Sequence, residues 1–435
     1  MICSFKRYKF VQFICESFWL DQNRLLSVSL IFAIVLYFGM ASKVESQELS
    51  KSISGFAIDL YQKCADESTD KNIILSPLSV ASALALALQG AEKNTLEQIV
   101  RGLHLEADDK ATIAAKFAEH HDLLKDGVGE STLSIANKLY VQQGYQIKQA
   151  FHDVAVKQFK SDVDSINFAE AVAAAQTINS FVESKTNNKI KNLISSDSLD
   201  HFTRLVLVNA IYFKGNWDRK FPIERTSSGD FYLDETKTIT VDYMRNENEY
   251  RFAELNDLDA SALELKYAKS NISFVVVLPN SRTGLTALEA SLKNYDVSQI
   301  CSQMYKQKVD VTLPKFKIEY EIELTNVLQK LGMSDMFGDN ADFGGLLDSV
   351  EPLKVSKVIH KAFIEVNEDG AEAAAATAGL IRMKRSLVRT IFEADHPFVF
   401  FILSNNNNEN CLPLFCGSVR ELNDTDNIQI DHDEL

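Results

Sequence analysis

Gly370-Ala371-Glu372-Ala373-Ala374-Ala375-Ala376-Thr377-Ala378 is followed, after Gly379-Leu380-Ile381, by Arg382-Met383-Lys384-Arg385-Ser386. A run of very small side chains leads from a single Gly into a dense basic cluster. Small residues let a segment be exposed or buried without large steric change. The basic cluster offers Arg and Lys to a protease with acidic pockets. By themselves these residues also fit a turn of Ala-rich helix and a solvated patch or processing site in an exposed loop. The rest of the chain favours a trap that presents bait to a protease.

At 435 residues the chain is long enough for one large domain or for two or three. Its apolar fraction of 46% and charged fraction of 24% are those of a globular protein with a large core. With 7 Pro and 17 Gly there is little room for a disordered linker. The low-complexity tract 405–408, all Asn, lies between the apolar runs 398–403 and 412–415 and reads as an enlarged hairpin turn.

The formal charge is −15, and the first 46 residues carry five basic and three acidic side chains. Such a balance excludes a general nucleic-acid binder, which needs clustered Lys and Arg. It favours the approach of basic partners. Arg24 precedes an apolar run over 25–41, and small residues gather at Ala41, Ser42 and Ser46. Residues 1–46 therefore read as a signal-peptide region cut between Ala41 and Gln47. The alternative is a signal anchor, for which the run is at the short limit. His432-Asp433-Glu434-Leu435 reads as an endoplasmic-reticulum retrieval signal, and both signals indicate the secretory pathway, with partial secretion. Use of Met40 as the start would instead give a cytosolic form. Asn271 and Asn423 open Asn-X-Ser/Thr glycosylation acceptors. Cys64, Cys301, Cys411 and Cys416 are too sparse for a disulfide framework. Buried free thiols are expected, with Cys411–Cys416 as the alternative pair.

Helical periodicity covers 49–65, 77–90, 95–103, 107–124, 150–159 and 168–194. Ser76-Pro77 reads as a cap followed by a first-turn Pro. Strands are expected over 133–141, 204–213, 272–278, 308–313 and 355–366, several apolar on both faces as in a covered sheet. The class is α+β.

Several motifs in order resemble the serpin family over about 47–422. Asn72-Ile73-Ile74-Leu75-Ser76-Pro77-Leu78-Ser79 looks like the family's opening strand and second helix. Asn209-Ala210-Ile211-Tyr212-Phe213-Lys214-Gly215-Asn216-Trp217 is similar to its central strand. Val366-Asn367-Glu368-Asp369-Gly370 resembles its hinge. Ala394-Asp395-His396-Pro397-Phe398 and Pro413-Leu414-Phe415-Cys416-Gly417 resemble its closing segments. The resemblance implies three mainly antiparallel sheets, about nine helices, a reactive-centre loop over 368–391 and a tail over 423–435. It implies a suicide inhibitor, not an enzyme. A protease cuts the loop and forms an acyl-enzyme, and the segment before the cut enters the main sheet as a new strand.

Under that resemblance Gly370 through Ala376 form the insertion hinge. Gly370 absorbs a backbone change, Ala371 and Ala373 to Ala376 enter without overpacking, and alternation lets Glu372 face outward. Ser76, Ser79, Asn209 and His360 match the family's polar cluster beneath the sheet opening, and Trp217 matches its top. As plain core polar residues they would need partners anyway.

Arg382-X-Lys384-Arg385 suits a furin-like proprotein convertase, with Arg385-Ser386 as the reactive bond and Arg382 and Lys384 adding charge-assisted contacts. The family's usual spacing from Gly370 would instead place the cut between Lys384 and Arg385. The chain resembles an insect serpin with a convertase-type bait and a retrieval tail. Trypsin-like targets and a non-inhibitory reticulum chaperone are the alternatives. The expected partners are serine proteases and a retrieval receptor, with no heparin, no metal, no cofactor and a monomeric state.

Overall fold

The computed structural model describes residues 47–68, 70–106, 108–293, 295–348, 353–368, 389–406 and 410–422. The hinge from Gly370 to Ala376, the bait from Arg382 to Ser386, Asn423 and the tail residues 432–435 lie outside these, as does the region 1–46. Among the described residues nine α-helices accompany two sheets.

The first sheet has five strands, ordered Phe316–Glu323, Lys357–Val366, Leu205–Lys214, Thr132–Gln142, Asp162–Ile166. Leu205–Lys214 is buried along all but its last residue. Its alternate residues explain why it is apolar apart from Asn209. Leu205, Leu207, Ile211 and Phe213 join the main core on one face. Val206, Val208 and Tyr212 pack on the other face with Ile178 and Val182 of the helix Ala171–Lys185. This sheet is therefore covered on both sides.

The second sheet has nine strands. The resemblance implies three sheets, and the ladder joins the last two because Thr238–Leu255 is one 18-residue strand. It pairs with Ser227–Tyr232 over residues 238–243, with Tyr305–Pro314 over 243–252 and with Ala260–Lys266 over 251–255. Its polar sequence hid it from pattern reading. The hairpin expected around the Asn tract pairs Phe398–Asn406 with Asn410–Val419 antiparallel as far as Asn406↔Asn410, so Asn405 and Asn406 are strand residues and 407–409 lie outside the described residues.

Pro77–Gly90 lies between the sheets, with 12 of its 14 residues buried, so it shows no polar stripe. Ser76 caps it in an extended conformation and accepts from the Ser79 N–H. The expected helix over 168–194 is shorter, ending at Lys185. Asn187, Asn188 and Asn192 take left-handed backbone conformations, which Asn tolerates and a helix interior does not. The helix expected over 107–124 begins at Lys110, where Asp109 accepts from the Thr112 N–H.

The cysteine expectation is corrected in part. Cys301 and Cys411 form a disulfide across 110 residues, joining the helix Val297–Gln303 to the last hairpin. Cys411 therefore does not pair with Cys416. Cys64 and Cys416 are buried free thiols, and burial pushes both thiols up in pKa.

Candidate functional site: the seam of the five-stranded sheet

Lys357–Val366 and Leu205–Lys214 run parallel and pair from Lys357↔Val206 to Ile364↔Phe213. Where this seam crosses the core, the sequence places polar residues on adjacent strands. His360 is fully buried and registers with Asn209, which registers with Asn137 on the next strand.

His360 Nδ1 lies 2.5 Å from Asn209 Oδ1, and its Nε2 accepts from the Ser76 N–H at 3.1 Å. Because the backbone can only donate, Nε2 is the bare nitrogen and Nδ1–H donates to Asn209. Burial pushes the His360 pKa down to about 3, so the ring is neutral. The Asn209 amide donates to Ser79 Oγ at 2.6 Å and to Asn137 Oδ1 at 2.5 Å. Ser79 Oγ donates to Asn137 Oδ1 at 3.2 Å, and Ser76 Oγ donates to the Leu414 carbonyl at 2.7 Å. One network thus ties a helix start, three strands and the last hairpin. An unmatched partner here would cost about 1–3 kcal/mol.

Ser76, Ser79, Asn209 and His360 all meet here. Asn137 was missed. Its signal is a side chain able only to hydrogen-bond, set in Ile135-Ala136-Asn137 at the centre of a strand.

At the upper end of the seam, Trp217 donates from Nε1 to the Asn367 carbonyl at 2.8 Å. Its ring stacks on Tyr267 at 4.6 Å. Glu368, where the expected loop begins and the last residue described on this side of it, accepts from Thr226 Oγ1 at 2.8 Å and pairs with Lys315 at 3.1 Å. Burial opposes the charge of Glu368. Hydrogen bonds from its own backbone, Thr226 and Lys315 outweigh that and hold its pKa below the ordinary value. The chain is therefore fastened just past the end of the strand Lys357–Val366.

Over the outer face, Lys361 is buried and binds Glu319, Glu321 and the Lys191 carbonyl. Lys361 thereby links the edge strand to the segment after helix Ala171–Lys185. Asn271 is exposed and directly precedes the strand Ile272–Pro279, with its carbonyl accepting from the Asn405 N–H. Ser273 of the same acceptor is buried.

Nothing in this geometry is a nucleophile–base pair, and no group of acidic, His or Cys side chains able to hold a metal occurs among the described residues. What the arrangement can do is mechanical. A polar clasp and an upper fastening hold closed a seam between parallel strands that has a chain emerging at its top.

The model of the family "Serpin (serine protease inhibitor)" matches residues 51–422. Antichymotrypsin-2 of Bombyx mori is 39% identical over 360 residues, covering 82% of this chain and 95% of that protein. Serpin B4 of Homo sapiens is also 39% identical, over 83% of this chain and 96% of its own length. Among solved structures, cleaved Serpin 42Da is 42% identical with a TM-score of 0.78, covering 87% of this chain and all of that one.

Proposed function

This chain belongs to the serpin family of serine protease inhibitors, and on that footing we propose that it traps furin-like convertases in the secretory pathway. The observation that carries the inhibitory part is the closed parallel seam, fastened by Trp217–Asn367 and Glu368–Lys315 immediately before the loop. The convertase part rests on Arg382, Lys384 and Arg385, and the compartment on the retrieval tail.

In this reading the protease serine attacks the Arg385 carbonyl. An ester to Arg385 forms, and the peptide bond to Ser386 breaks with release of its amine. The freed segment behind Arg385 then parts Leu205–Lys214 from Lys357–Val366 and takes its place between them. Both neighbours run the same way, and the loop returns from the end of Lys357–Val366, so the new strand is antiparallel to each and satisfies both edges. The clasp residues must release and reform around it. Loop length sets how quickly this follows acylation, so a cut at Lys384-Arg385 would trap on a different schedule.

Incubation with furin at neutral pH with calcium, followed by a denaturing gel, tests this. An SDS-stable complex with a released fragment beginning at Ser386 is expected. Cleavage without complex would make the chain a furin substrate and redirect attention to trypsin-like proteases. An uncleaved chain would favour a chaperone role in the reticulum.

A further inference from the structure

Any cut in the bait divides the chain in two. Cleavage after Arg385 leaves the protease esterified to the piece that ends there, while the tail 432–435 sits on the 50-residue piece 386–435. Cleavage after Lys384 would separate them in the same way. Once the inhibitor has acted, the trapped protease and the retrieval signal are on different polypeptides.

Three kinds of bond cross that division in the intact chain. The first is the sheet. Asn410–Val419 lies between Ile73–Leu75 and Phe398–Asn406, and Phe398–Asn406 pairs in turn with Ile272–Pro279. The second is polar. Asn405 donates to Glu264 Oε1 at 3.0 Å and to Ser273 Oγ at 3.1 Å. The N–H groups of Arg420 and Glu421 donate to Asn72 Oδ1 at 2.7 and 3.0 Å, just before the tail 423–435.

The third is covalent. Cys301 precedes the bait and Cys411 follows it, so their disulfide spans the two pieces. The sheet and its polar bonds hold only while the protein stays folded, whereas the disulfide also holds through unfolding. Cys301 is 0% and Cys411 2% exposed. Reduction requires a thiolate to reach one of the sulfurs, and the folded core shields both from reductants.

We propose that the Cys301–Cys411 disulfide is a tether that keeps the retrieval tail joined to the trapped protease. The spent complex, and not the free inhibitor alone, is then a ligand for the receptor that reads the C-terminal tetrapeptide. The protease is thereby returned to the early secretory pathway instead of leaving with the complex. That return step rests on the convertase reading above, whereas the tether does not. The tether also means that the fragment beginning at Ser386 separates only on a reduced gel.

The tether is tested independently of inhibition. The full chain, recovered from the secretory pathway of expressing cells, is nicked in the bait with trypsin and denatured in iodoacetamide. It is then blotted with an antibody against residues 423–435. Without reductant the tail signal should run with the large piece, free or esterified to trypsin. With dithiothreitol it should shift to the small piece. Nicked Cys411→Ser should release the small piece without reductant. A small piece released from unreduced wild type would overturn the tether, and so would a tail still joined to the large piece in Cys411→Ser.

The return step is tested in cells that co-express a secreted, soluble form of furin with the wild-type chain or with a chain lacking 432–435. The SDS-stable complex should stay in the cells with the wild type and appear in the medium without the tetrapeptide. Equal secretion of both complexes would overturn the return step and leave the convertase reading standing. Absence of any complex would overturn the convertase reading and the return step together, with the tether still decided by the blot.

Discussion

His360 and Asn209 are paired twice, as register partners across the parallel seam and through a 2.5 Å hydrogen bond from Nδ1 to Oδ1. The same two residues hold the helix start and the neighbouring strand through Ser76, Ser79 and Asn137. Opening the seam therefore breaks backbone pairing and this side-chain clasp together, which makes the opening cooperative.

The clasp should make the native state acid-sensitive. Burial holds His360 near pKa 3, while in the unfolded chain it titrates near ~6.5. Between these values the unfolded chain binds a proton that the native state does not. The stabilisation is whole above about pH 6.5 and is lost as pH falls, at up to about 1.4 kcal/mol per unit within the window. Denaturant midpoints measured from pH 7.5 to 5 should fall for the wild type. They should fall less for His360→Asn, which keeps an amide donor but cannot titrate. Equal slopes would show that other groups set the acid response.

The upper fastening should control entry into the seam. Lys315→Ala leaves Glu368 partly buried without its cation, a loss on the order of 1–2 kcal/mol for a pair that retains some solvent contact. We expect annealing of a synthetic peptide of sequence 370–383 to become about tenfold faster, followed as a mobility shift on native gels. An unchanged annealing rate would remove Glu368 from the control of opening.

Gly215 is required by the ring beside it. A Cβ there would lie 2.2 Å from the Tyr267 ring, which stacks on Trp217. Gly215→Ala should therefore push the ring aside, costing roughly 1–3 kcal/mol. Trp217 emission, measured on chain lacking residues 1–46, should shift to the red. Emission and midpoint matching the wild type would mean that the ring yields freely.

The disulfide should be a substantial stabiliser, because it closes a stretch of 110 residues. Cys411→Ser should lower stability by about 2–4 kcal/mol. Peptide mapping after alkylation without reduction should recover Cys301 joined to Cys411. Cys64 and Cys416 should react only after unfolding, since burial keeps both as thiols. Alkylated Cys301 in native protein would contradict the bond.

The parts of this molecule visible in sequence were those fixed by local chemistry. Ser76-Pro77 marked a helix start, and the run before Lys214, apolar except for Asn209, marked a strand covered on both faces. The motif likeness then brought Ser76, Ser79, Asn209 and His360 to one site, although 284 residues separate the first from the last. What stayed hidden depends on contacts distant in the chain. The strand Thr238–Leu255 is half polar because much of it borders solvent. Cys301 and Cys411 meet only after helix and hairpin pack. Glu368 looked like the first residue of a loop, yet Thr226 and Lys315 hold it to the body.

The bait separates its two protease readings by position. A convertase reads several basic side chains, each through a charge-assisted contact worth about 1.5–3 kcal/mol, whereas a trypsin-like enzyme needs one. Arg382→Ala should therefore slow complex formation with furin by roughly 10- to 100-fold and change that with trypsin by less than about threefold. Arg385→Ala should abolish the furin complex, while trypsin retains a cut after Lys384. Second-order rate constants from progress curves with fluorogenic substrates provide the measurement. If Arg382→Ala leaves the furin rate unchanged, the multibasic reading fails and the bait is a single-residue site. If Arg385→Ala still traps furin, the reactive bond is Lys384-Arg385 and the loop has the length usual in its family.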